Sequence, residues 1–229
     1  MPKLLLNQRK ISQEFARLTK RDANDALYSS INAHGAKVDI SGEAKHSLPP
    51  GYRLLRVDGR QAAESHGEIF EIALLNDLTK QIVYYNQVVI TEIVDLNCRP
   101  ASQMLVWRST DQQHSSVLRD LASNVFFNYV LERYDVILSD NTHTSDGQFF
   151  WKRQMSSALA RNLFVYFYRM LEAKLERIPD QAALDDLDDT LWGDDDPYSY
   201  HLAIISKVEL PAEITVESLV APSETTVST

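Results

Sequence analysis

One cysteine, seven glycines and no long apolar run set the first limits on this chain of 229 residues. A single thiol, Cys98, cannot close an internal disulfide, so nothing in the cysteine pattern asks for an oxidising compartment. Its surroundings, Leu96 to Pro100, match no nucleophile signature, and it reads as a quiet structural thiol. Glycine is too scarce for a nucleotide cradle: there is no Gly-x-Gly-x-x-Gly and no P-loop. The Gly-x-Ser-x-Gly elbow of serine hydrolases is missing too. No apolar run reaches the roughly 18 residues of a membrane span. Leu4 to Leu6 is too short a run for a secretory core. These absences predict a soluble, cytoplasmic protein with no membrane partner.

Base is also in short supply. Lys and Arg number 23 against 32 Asp and Glu, a net charge of −9, which argues against nucleic acid as a partner. The charge is uneven. Lys3, Arg9, Lys10, Arg17, Lys20 and Arg21 crowd the first 22 residues, while 180–196 holds eight Asp and no base. The Asp spacing is not that of a calcium loop, so this insert reads as a solvated connection. It is too local to mimic a nucleic acid. A metal is not expected: His114, Asp140, His143 and Asp146 are conceivable ligands, but no His-x-x-x-His or Cys pair is present.

What is present is a run of well-marked elements. Phe15, Leu18, Ala23 and Leu27 fall near one side of a helical repeat across 8–32. Gly35, Gly42 and Pro49-Pro50-Gly51 break the chain into a loop over 33–50. Strands are predicted at 52–57, 68–76 and 81–94, the last two as an antiparallel hairpin about the turn 76–80. A further strand is expected at 103–109. A continuous helix is expected at 115–134, with Leu118, Leu121, Ala122, Val125, Tyr129 and Val130 on its apolar face. A short buried strand follows at 135–140. Then comes a helix from Ser145, opened by a Ser145–Gln148 capping box; 163–169 reads as a strand, with a helix continued through Leu171 as the alternative, and 200–210 as the last strand. The predicted class is α/β of the α+β kind, with a mixed, largely antiparallel central sheet flanked by helices. Three regions are expected: a helical arm and loop over 1–50, the main domain over 51–210, and a loose tail over 211–229.

This order of elements resembles the GNAT superfamily of acyl-CoA-dependent acyltransferases over about residues 52–208. Within it, Ser139-Asp140, Thr142 or Thr144, Gly147 and Trp151 resemble a run found in phage-encoded members. The resemblance implies a protein of a bacterium or a phage-infected host cell, with acetyl-CoA or another acyl-CoA as cosubstrate. It implies that 103–109 is the strand feeding a coenzyme-binding helix, and that 135–140 splays from it to admit the pantetheine arm. The implied phosphate contacts fall on Arg108, Gln113, Ser115 and Ser116. Two departures stand out. The loop from Arg108 to Leu118 has no glycine and contains Asp111. Phe149-Phe150-Trp151 stands where many members carry a tyrosine acid, and an indole is no acid at neutral pH.

Acyl transfer to an amine needs a base and donors for the carbonyl oxygen. Polar candidates cluster after the strand 135–140. Asp140 is the expected base or orienting group, with Ser139 and Thr142 beside it, because desolvation at the end of a buried strand raises a carboxylate. Asp140-Asn141 also has the form of a turn, and His143 that of an exposed loop residue. The function implied is an acyl-CoA-dependent N-acyltransferase with an unknown amine acceptor. The alternative is a catalytically silent interaction or virion-associated protein, meeting a protein partner through the N-terminal helix or the acidic insert.

Overall fold

The computed structural model describes residues 8–61, 68–91, 96, 98–99, 101–139, 145–187 and 201–211. Two helices come first, α1 (Gln8–Thr19) and α2 (Arg21–Ala33), then a short strand β1 (Lys37–Asp39). Strands β2 (Tyr52–Asp58), β3 (Glu68–Asn76), β4 (Gln81–Thr91) and β5 (Ala101–Arg108) follow. β1 to β5 pair antiparallel in chain order, and the β3–β4 hairpin closes from Glu68–Ile90 to Asn76–Gln81. Further on lie β6 (Asp135–Ser139), α6 (Ser145–Ala160), β7 (Phe164–Arg169), β8 (Lys174–Ile178), α7 (Gln181–Asp186) and β9 (His201–Ser206). β9 runs antiparallel between β6 and β7, and β8 forms the far edge. The class is therefore α+β, with two antiparallel half-sheets that meet at β5 and β6, the one parallel neighbour pair among the described residues.

The expected helix at 115–134 is a correction. It is broken into α3 (Ser115–Leu118), α4 (Leu121–Asn124), a π-helical turn (Val125–Val130) and α5 (Leu131–Arg133). Arg119 is extended, and Asp120 takes the left-handed conformation at φ 58°. Asp tolerates that region better than most residues, so the break interrupts the backbone without interrupting the apolar spacing. Val117, Leu121, Val125, Phe126 and Val130 all stay buried. Two strands, β1 and β8, were not expected. Each is an edge strand, where pairing on one side suffices.

The sheet carries cores on both faces. One face packs Leu54, Ile72, Tyr84 and Val88 with the segment 117–131, and Val165 and Phe167 with Trp151 and Met155 of α6. On the other face, α1 and α2 bury Leu18, Tyr28 and Ile31 against Leu55, Val57, Leu75 and Tyr85. The helical arm therefore packs on the sheet. Asn24 of α2 clamps it there. Its side chain accepts from the Ile82 N–H at 2.7 Å and donates to the Ile82 carbonyl at 3.0 Å and the Leu18 carbonyl at 2.8 Å. A third cluster joins Ile137, Tyr166, Tyr168 and Ile204 on the same side of the far half-sheet. The expected strand at 200–210 closes earlier, at Ser206. The acidic insert begins as α7, capped by Asp180, which accepts from the Ala183 N–H. Its remainder from 188, and the tail from 212, lie outside the described residues. No helix of the described residues is long and apolar enough to cross a membrane.

Candidate functional site

The site is built around the join between the half-sheets. β5 and β6 pair at Ala101–Asp135 and Ser102–Val136 and then stop, although both strands continue. The pairing ends because the strands part. β4 is buried from Ile82 to Val89, whereas its neighbour β5 is only half-buried from Met104 to Trp107. Side chains point to the faces of a sheet, so this half-burial shows that the faces over β5 are less covered than those over β4.

The β4–β5 register says which groups face the wedge. Ser109 donates its N–H to the Val83 carbonyl at 2.8 Å. Bonded pairs alternate along an antiparallel ladder, so Trp107 and Leu105 bond β4 through Tyr85 and Gln87. The N–H and C=O groups of Met104, Val106 and Arg108 therefore turn towards the side that β6 leaves. Repeats of about 6.8 Å separate these groups along the strand.

The apex of the wedge is clasped by a buried charge. Asp135 is fully buried. It accepts from the Arg99 N–H at 3.0 Å, from the Arg99 guanidinium at 2.7 and 3.2 Å, and from Ser206 Oγ at 2.6 Å. Arg99 also donates to the carbonyls of Leu131, Glu132 and Tyr134, which end the helical segment. One ion pair thus ties the start of β5 to β6, to β9 and to the helix between them. Cys98 sits next to it. Burial, and the nearby Asp135 charge, push its thiol up to about 11, so it stays protonated at neutral pH.

At the other end, β5 leads into a tight turn, Gln112–His114, and then α3. The first amides are occupied from within. Asp111 Oδ1 accepts from the Gln113 N–H at 3.0 Å, and Asp111 Oδ2 accepts from the Gln113 side chain at 2.7 Å. The His114 N–H reaches the Asp111 carbonyl, and the Ser115 N–H reaches that of Gln112. Arg108, Gln113, Ser115 and Ser116 are all exposed around this turn. The structure therefore groups the four expected phosphate contacts in one place, with the Asp111 carboxylate among them.

His114 has a structural role that the sequence reading did not assign to it. It is buried, and its Nδ1 lies 2.9 Å from the Tyr52 hydroxyl of β2. The direction of that bond follows from a chain of donors. The N–H groups of Leu78 and Thr79 donate to Asn76 Oδ1, so Asn76 Nδ2 is the donor to the Tyr52 oxygen at 3.3 Å. The Tyr52 proton then goes to His114 Nδ1, and the neutral ring carries its own proton on Nε2. Burial lowers the His114 pKa, and Asp111 offsets part of the shift. The contact draws the turn towards β2 and β3, away from β6. A histidine in a polar loop gives no hint of a partner 62 residues away.

The candidates of the polar loop are placed only in part. Ser139 ends β6, opposite Leu202 of β9, and Asp146 lies in the first turn of α6; their side chains lie outside the described residues, as do Asp140, Thr142 and His143. Trp151 is buried in the core, with its ring 5.9 Å from Phe126 and 4.8 Å from Phe150. Trp107 packs on the α1–α2 face. No cluster of three metal-binding side chains occurs among the described residues. No family model, curated protein or solved structure matches the chain.

Proposed function

We propose that the chain is an acyltransferase-like protein that takes an acyl thioester into the β5–β6 wedge and passes the acyl group to an amine. The observation that carries this reading is the parting of two parallel strands after two residue pairs. That gap leaves a row of N–H and C=O groups for a ligand with amides of its own. A pantetheine arm has two such amides and an extended shape. The order β5, helical crossover, β6 is also the order that the resemblance implies.

In the proposed reaction the amine nitrogen attacks the thioester carbonyl, a C–N bond forms, and the C–S bond breaks. The nitrogen loses a proton to a base, and the sulfur leaves as a thiolate that takes up a proton from water. Asp140 is the proposed base, with Ser139 and Thr142 orienting the acceptor. The Cys98 thiol, protonated beside the apex clasp, takes no part.

The test is thermal unfolding with acetyl-CoA. A ligand that binds only the folded state at a hundred times its Kd stabilises by about 2.7 kcal/mol. The melting temperature should therefore rise with ligand concentration. An unchanged melting temperature at millimolar acetyl-CoA would overturn the reading. A second reading is favoured by the absence of a tyrosine acid at Phe149 to Trp151. It is a silent member of the same architecture, whose wedge accepts an extended peptide as an added strand. Binding of a partner protein without acyl transfer would support it.

A further inference from the structure

The nucleotide end of an acyl-CoA does not fit the residues that would hold it. Phosphates bind where several backbone N–H groups are free and converge, or where cations gather. Here the N–H groups of Gln113, His114 and Ser115 are each engaged inside the turn. The acceptor of the first is a carboxylate, Asp111, so a negative charge already holds the place of an anion. The helix behind it is four residues long before the chain breaks at Arg119 and Asp120. So short a stack of peptide dipoles adds little positive potential. Arg108 is the sole Lys or Arg from 101 to 118. A single exposed guanidinium, with the exposed Asp111 carboxylate three residues on, is a weak match for a pyrophosphate and a further phosphate.

The other end of the same ligand fits. The backbone groups of Met104, Val106 and Arg108 face the wedge at about 6.8 Å repeats, the pattern an arm with spaced amides requires. Resting on the wedge reading above, we infer that this chain recognises its acyl donor by the pantetheine arm alone, without holding a nucleotide. The donor class is then an acylated pantetheine. The arm is either free or carried through a phosphodiester on another protein.

Calorimetric titration separates these cases, using acetyl-CoA, S-acetyl-pantetheine and an acetylated protein-borne phosphopantetheine. The expected result is that acetyl-CoA and acetyl-pantetheine bind within fivefold of each other, and that raising the salt weakens neither. Acetyl-CoA binding more than fivefold tighter would overturn the inference, because the phosphates would then be held. Binding of neither would instead remove the wedge reading on which it rests. The protein-borne donor decides the source. Tighter binding than acetyl-pantetheine assigns the arm to a carrier, and equal binding assigns it to a free thioester. Each of these results requires that the arm is what is read. Asp111→Asn keeps the cap and removes the charge. It should leave acetyl-pantetheine affinity unchanged, and a loss of more than fivefold would also count against the inference.

Discussion

Asp135 meets no water, yet it carries a charge at the base of the wedge. Its partner Arg99 is 28% exposed, so the pair is buried on one side only. Replacing Asp135 with Ala leaves that guanidinium among helix-end carbonyls without its counter-charge. The expected cost is about 3 kcal/mol, the low end for breaking a buried pair. It should appear as a lower denaturant midpoint at unchanged slope. His114 makes a prediction of opposite character. Its folded pKa is below its ordinary value of 6.5, so the unfolded chain takes up the proton first as pH falls. The stability due to the neutral ring is full above 6.5 and is lost as pH falls through the lower, folded value. The melting temperature should drop between pH 7 and pH 5, and His114→Gln should drop less. An identical drop would assign the dependence to other groups. Neither partnership was legible in the sequence. Asp135 looks like the first residue of a strand, and its partners Arg99 and Ser206 lie 36 and 71 residues away.

At the scale of the element, the two faces of β5 separate binding from folding. Proline removes an N–H, which a strand tolerates where that N–H does not serve the ladder. Val106→Pro deletes a group facing the wedge, whereas Leu105→Pro deletes one bonded to β4. We expect Val106→Pro to fold, with a modest loss of melting temperature, and to lose the acyl thioester. Leu105→Pro should fail to fold. Circular dichroism with a ligand titration checks both, and equal damage from the two would contradict the assigned register. Apolar, β-branched and aromatic runs bounded by turn residues made β2, β3, β4, β5, β6 and β7 readable, and most of them are buried on both faces. Two other elements were hidden by the same logic. The break at Arg119 and Asp120 keeps the helical spacing of Leu118, Leu121 and Val125, so periodicity cannot see it. β8, Lys-Leu-Glu-Arg-Ile, buries only Leu175 and Ile178 at the sheet edge. Its charges read as loop.

At the scale of the molecule, the residues dictated the α+β class and the antiparallel pairing of the first half. The parting of β5 from β6 came only from the resemblance, since no local pattern records where two strands cease to pair. Beyond the two residue pairs of β5 and β6 the half-sheets are joined by side chains of the shared core and not by the ladder, so a tilt of one against the other would centre on the last rungs as its pivot. From Ser102 to Arg108 the free arm is six residues, or about 20 Å. A tilt of about 5° at the pivot would then move the rim by roughly 1.7 Å, about half the width of a methylene chain. Aperture at the rim is thus governed from the opposite end, by the guanidinium and carboxylate that pin the axle.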